Sequence, residues 1–139
     1  LSPKTLVLDA NILIRAVLGM RVRRLLETFS ESVDFLVPEA ALAEAEEHLE
    51  ALVAKRGGDP RLALASLGAV IALTTVVPEG IYLPYEIEAK GRLGTRDPDD
   101  WPILALALAS GSPIWTEDSD FFGCGVATWT TDTVGHYLR

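Results

Sequence analysis

The chain has 139 residues, 49% of them hydrophobic, and a formal net charge of −8 at pH 7. That length suits a single domain, residues 1–139, with a core large enough to need no disulfide or metal staple. The acidic balance excludes a protein that coats nucleic acid non-specifically, which would be basic, yet it suits an enzyme whose carboxylates are cancelled by bound cations.

The first element is a run from Thr5 to Leu8, continuously apolar after Thr5, read as a strand buried on both faces and ending at Asp9. Asn11 is expected to cap a helix to about Leu18, ended by Gly19. A second helix is predicted over Arg21 to Phe29, and a second buried strand over Asp34 to Val37. Pro38 opens a long helix through about Lys55, stopped by Gly57 and Gly58. Asp59 and Pro60 start another helix, expected to end before Gly68, and the β-branched run Val70 to Val77 reads as a strand. A short helix is predicted over Tyr85 to Arg92. There follow a helix from Asp100 to Ser110, a strand from Pro113 to Thr116, an acidic turn, a strand from Val126 to Trp129 and a closing helix near Thr133 to Tyr137. The run Trp101 to Thr116 carries no charge, but it holds Pro102, Gly111 and Pro113 and is too short to span a bilayer. Cys124 is the only cysteine, which excludes an internal disulfide and a cysteine metal cage. No basic segment with an apolar core and cleavage site is visible, so a cytoplasmic protein without membrane attachment is expected.

Strands alternating with helices imply an α/β fold: a three-layer α/β/α sandwich around a mainly parallel sheet. In such sheets the ligand crevice lies beyond the carboxyl ends of the strands. Asp9 ends the first strand. Thr116, Asp118 and Asp120 follow a later one, and Asp100 begins the helix that feeds it.

A carboxylate placed directly after a buried strand is costly to desolvate unless something pairs it, which singles out Asp9. Asp97, Asp99 and Asp100 precede an apolar helix. One aspartate suffices as a cap, and Pro102 places that cap near Pro98 or Asp99. Asp100 then sits in the first turn of a rigid, buried helix, as a metal ligand requires. Asp97 and Asp99 fit capping or surface roles. Asp118 and Asp120 lie in a turn that Phe121 and Phe122 should plug into the core. On the long helix, Glu44 and Glu46 flank the apolar stripe on opposite sides, and periodicity does not choose between them. His48 lies one turn beyond Glu44, where surface or half-buried structure is the usual role. Several carboxylates converging on one point repel, and one or more stays protonated unless a cation neutralises them. Hard oxygen ligands suit Mg²⁺ or Mn²⁺. Such ions cleave phosphodiesters by activating water and stabilising the leaving oxygen, in two-metal sites with the ions roughly 3.5–4 Å apart.

Four segments in order resemble the PIN domain, the nuclease fold of VapC-type toxins and related ribonucleases: LVLDANIL, VPEAALAEAEEHL, DPDDWPILALALA and IWTEDSDFF. They cover nearly the whole chain, and the order is more specific than any one segment. The resemblance aligns Glu44 with the family's glutamate and makes Asp9, Glu44, Asp100 and Asp118 the metal ligands. Asp120 is then expected to orient water or complete a second site, with Asn11 and Thr116 supplying supporting hydrogen bonds. Arg21, Arg23 or Arg24 is expected to hold a neighbouring phosphate. The resemblance further implies Mg²⁺- or Mn²⁺-dependent hydrolysis of RNA, leaving 5′-phosphate and 3′-hydroxyl ends. It implies a homodimer and, often, a small antitoxin covering the acidic pocket. The apolar tract after Asp100 and the added length of residues 59–77 differ from many small toxins and suit a stand-alone RNA-processing nuclease. A haloacid-dehalogenase-like phosphatase would want aspartate where Asn11 stands, and a receiver domain would want a lysine near Thr116. The rival from another class is a catalytically silent PIN-like module that binds RNA or a partner protein.

Overall fold

Residues 3–139 are described by a computed structural model. Strand β1 (Lys4–Leu8) lies at the middle of the sheet, and its last three residues are buried, as its uninterrupted apolar run requires. Two helices, α1 (Ala10–Leu18) and α2 (Arg21–Phe29), carry the chain to β2 (Val33–Pro38). The long α3 (Glu39–Lys55) and α4 (Pro60–Ile71) lead to the short β3 (Thr75–Val77). The return path is α5 (Glu79–Tyr82), a 3₁₀ turn at Leu83–Tyr85, α6 (Glu86–Leu93), a 3₁₀ turn at Pro98–Asp100 and α7 (Trp101–Ser110). Strand β4 (Ile114–Trp115), a 3₁₀ turn at Ser119–Phe121, β5 (Thr128–Trp129) and α8 (Val134–Leu138) complete the chain.

All five strands are parallel, in the order β3-β2-β1-β4-β5. Leu6 is opposite Phe35, Leu8 opposite Trp115, and Trp115 opposite Trp129. Helices α1 to α4 pack together, whereas α7 packs with α5 and α6 and against β1 and β2. Right-handed crossovers put these two groups on opposite faces, which makes the three-layer sandwich expected from the alternation of elements. From β1 the chain winds to β2 and β3 on one side, then returns to β4 and β5 on the other. The strand order therefore reverses between β1 and β4, and the crevice at such a reversal is where α/β sheets bind ligands.

Three local expectations are corrected. The cap of α1 is Asp9, not Asn11: Asp9 Oδ1 accepts from the Ile12 N–H at 3.0 Å. Helix α4 runs through Gly68 to Ile71 instead of stopping before it, and only Thr75–Val77 of the Val70–Val77 run is strand. Leu67 and Val70 are buried at helical spacing, and Gly68 is exposed, so packing against α3 outweighs both β-propensity and the glycine cost. Phe121 is buried, but Phe122 is 45% exposed, so one phenylalanine, not two, plugs the acidic turn. The apolar helix is as expected: Pro102 to Ala107 are all buried.

Candidate active site

Two strand ends and two helix starts meet at the carboxyl edge of the sheet. Asp9 leaves β1 there and is 7% exposed. Its Oδ2 accepts a hydrogen bond from the hydroxyl of Thr116, a fully buried residue just past β4. The same hydroxyl oxygen accepts from the Asp118 N–H at 2.9 Å, and Asp118 Oδ1 accepts from the Asp120 N–H at 2.9 Å. One threonine thus ties the carboxylate of β1 to the turn that follows β4, across the strand-order reversal. The energetic reason is burial: Asp9 left without donors would bear the full desolvation cost.

Asp100 reaches the site from the third acidic segment. Asp97, not a residue nearer Pro102, caps the local turn: its side chain accepts from the Asp99 N–H at 3.1 Å. That division of labour leaves the Asp100 carboxyl group free of capping duty. Its Oδ2 is buried, and no N–H or hydroxyl among the described residues donates to it. Burial pushes the Asp100 carboxyl up to about 7, helped by the negative charge of Asp97, by a hydrogen bond shared with the Asp118 carboxyl, and by the charges of Asp118 and Asp9. Burial likewise raises Asp9 to about 6 against the opposing hydrogen bonds from Thr116 and Ile12, with Asp118 and Glu44 adding repulsion. Asp9 thus feels the charges of Asp118 and Glu44, and Asp100 those of Asp97, Asp118 and Asp9.

Glu44 is exposed on α3 and lines a cleft of about 330 Å³ with Asp97, Asp99, Asp100, Ala40, Ala41, Pro102 and Ile103. Glu46 lines a different depression, with Leu42, Leu64 and Leu67 on the α3–α4 side. The choice that periodicity left open is thereby made by geometry: Glu44 faces the acidic cleft. His48 is exposed. Asn11 is exposed on the first turn of α1, and no hydrogen bond joins it to the carboxylates among the described residues. Arg21 pairs with Asp132 at 2.7 Å, just beyond β5, and Arg23 pairs with Glu27 one turn along α2 at 3.3 Å. Arg24 is exposed, and none of the three arginines pairs with the acidic cleft among the described residues.

Two contributors escaped sequence reasoning. Tyr82 is fully buried, its hydroxyl accepts from the Ala40 N–H at 3.3 Å, and its ring lies 5.9 Å from that of Trp101. It joins the start of α3 to the start of α7, the two walls of the cleft. Glu117 accepts from the Thr131 N–H at 2.7 Å and so fastens the turn after β4 to the exit of β5. Both contacts are long-range, and nothing in the local pattern signals them.

The donor set is chemically suited to a hard divalent cation: carboxylate oxygens only, one of them buried without a partner. Among the described residues, no three His, Cys, Asp or Glu side chains already stand as a complete metal site. Asp9 and Asp118 lie close enough to Asp100 to act on its carboxyl group, and Glu44 lines the cleft beside Asp100.

The fold and this edge define an α/β protein with an acidic crevice at a strand-order reversal. A model of the PIN domain matches residues 7–139. The chain belongs to the PIN domain family, a family of nucleases. Solved structures agree on the fold. VapBC2 from Rickettsia felis, determined bound to a DNA fragment from their promoter, superposes with a TM-score of 0.71 at 14% identity, covering 91% of this chain and 98% of that one. PAE2754 from Pyrobaculum aerophilum gives 0.71 at 19% identity, covering 98% and 95%. FitAcB from Neisseria gonorrhoeae gives 0.66 at 21% identity, covering 91% and 97%. No curated protein matches the chain. Among the described residues no helix is long and apolar enough to cross a membrane.

Proposed function

We propose that the chain is a metal-dependent endoribonuclease, in which Asp9, Glu44, Asp100 and Asp118 hold Mg²⁺ or Mn²⁺ directly or through water. The observation that carries the reading is Asp100: a half-buried carboxyl group with a partnerless oxygen, facing other carboxylates across a cleft. Such an arrangement is costly alone and becomes favourable around a cation. A divalent cation there would supply water activation and stabilisation of the leaving oxygen. Thr116 holds Asp9 and the Asp118 backbone in register, so the ligands are presented by rigid elements. Asp120, in the same turn, would orient water toward the scissile phosphorus. Arg21 or Arg24 would hold a flanking phosphate of the RNA. Hydrolysis in this way leaves a 5′-phosphate and a 3′-hydroxyl.

The proposal extends to biology. The likeness to VapBC2 and FitAcB supports a toxin of a toxin–antitoxin pair, with a small antitoxin covering the acidic cleft of a cytoplasmic homodimer. An RNA-processing nuclease acting alone fits the same site. The experiment is Asp100→Asn: it should abolish Mn²⁺-dependent RNA cleavage while the circular-dichroism spectrum stays native. Retained cleavage would refute the ligand assignment.

One observation favours the rival, a silent PIN-like module that binds RNA or a partner protein: Glu44 is exposed, and the described residues hold no ready-made three-ligand group. Calorimetry with Mn²⁺ separates the two readings, since a silent module should show no cation site of useful affinity.

A further inference from the structure

Two arginines near the end of α6 grip the loop that follows Asp118 and Asp120. Arg96 donates from Nη1 to the Phe122 carbonyl at 2.6 Å, from Nε to the Leu93 carbonyl at 3.3 Å, and from Nη2 to the Arg92 carbonyl at 3.4 Å. Arg92 donates from Nη1 to the Cys124 carbonyl at 3.2 Å and from Nη2 to Glu88 at 3.0 Å. The loop is shaped to receive them. Gly125 has φ of +88°, which favours glycine, and a Cβ there would lie 2.6 Å from Arg92 Nη1, so a larger residue would strain the backbone and displace the guanidinium tip.

The chain has 20 acidic residues against 12 Lys and Arg, yet among the described residues Arg96 pairs with no carboxylate. Its hydrogen bonds all go to backbone carbonyls, on two segments: the end of α6 at Arg92 and Leu93, and Phe122, 26 residues beyond Arg96. A planar fork with donors in fixed directions makes such a contact directional, unlike a surface ion pair. The first lies just before Arg96, which directly precedes Asp97, the cap of the turn that carries Asp100. The other begins two residues after Asp120 and contains the exposed Phe122 beside the buried Phe121. Asp100 and Asp118 repel one another when both are ionised. The guanidinium links the two segments that carry them.

We propose that Arg96 is a positioning residue: it locks the turn carrying Asp97 to Asp100 onto the loop carrying Asp118 and Asp120, and so sets the spacing at which those carboxylates receive a divalent cation. The second half of this statement rests on the nuclease reading; the first half does not. Partners of metal ligands typically change metal affinity by about 10–100-fold when removed.

The test compares wild type with Arg96→Met and Arg96→Lys in two measurements. In cation-free protein, amide exchange at Asp99 and Asp120, whose N–H groups bond Asp97 and Asp118, should rise about tenfold or more in Arg96→Met. Exchange in β1 and α7 should stay as in wild type. Calorimetry should show Mn²⁺ bound about 10–100-fold more weakly by Arg96→Met. Arg96→Lys should fall between, because an ammonium still donates to nearby carbonyls but lacks the longer planar fork with its fixed directions; it also carries the comparison if Arg96→Met fails to fold. Unchanged exchange at Asp99 and Asp120, or a rise spread equally over β1 and α7, overturns the inference. Altered exchange with undiminished Mn²⁺ affinity overturns its second half. A wild type that binds no Mn²⁺ defeats the nuclease reading, while exchange still decides whether the clasp exists.

Discussion

Asp100→Asn should make the cation-free protein more stable at neutral pH, although it destroys the proposed site. The sign follows from linkage. An acid held above its ordinary value binds its proton more tightly in the folded chain than in the unfolded one, so ionising it weakens the fold. Below about pH 3.8 the group is protonated in both states and the cost vanishes; it grows as pH rises and levels off above about 7. The gap between 3.8 and about 7 corresponds to about 4 kcal/mol at full strength. Asp100 is only half buried, and solvent screening reduces this to about 2 kcal/mol. Asparagine keeps the shape and carries no charge, so the variant should gain about 2 kcal/mol at pH 7.5, about half that at pH 5, and nothing at pH 3.5. Urea denaturation in EDTA reads the difference as a midpoint shift of about 1 M at pH 7.5. Saturating Mn²⁺ should reverse the order, because only wild type gains binding energy. A variant no more stable than wild type at pH 7.5, or an advantage independent of pH, refutes the picture of crowded carboxylates.

Other predictions address neighbouring parts of the site. Thr116→Val removes the hydroxyl shared by Asp9 and the Asp118 N–H and should cost about 1–3 kcal/mol in thermal unfolding. The same change should lift the Asp9 carboxyl above about 6, since that hydrogen bond is the main influence holding it down; an NMR titration showing no upward move would contradict the assignment. Glu44→Gln should weaken Mn²⁺ binding measured by calorimetry, whereas Glu46→Gln, on the other depression, should leave it unchanged; equal effects would mean that the cleft has been misread. Arg24→Ala should raise KM for RNA with little change in kcat and flatten the salt dependence of binding by about one phosphate contact. An unaltered KM removes Arg24 from the substrate path.

Much of the fold was legible because it rests on local chemistry. Residues 6–8 and 35–37 are apolar without interruption, and 101–116 is uncharged, so buried parallel strands and a buried helix follow from the one-dimensional pattern. The alternation of these elements sets the layer architecture, and the carboxyl-edge rule then points to Asp9, Asp100 and Asp118. Local chemistry was misleading where packing competed with it. Val70 and Ile71 are β-branched yet helical, because α4 docks on α3. Asn11 is a good cap, but Asp9 already held the capping position at the strand end.

What the amino-acid order determined unaided is which residues can be buried and where charge must stop, since hydrophobic periodicity and capping act within a few residues of chain. What only the tertiary structure decided is which distant groups meet. Glu44 rather than Glu46, the Thr116 bridge to Asp9 over 107 positions, the Tyr82 support of α3 and the Arg96 clasp all depend on contacts between segments far apart in sequence. Such contacts arise from the packing of the whole sheet and its helices, and no short window of residues encodes them.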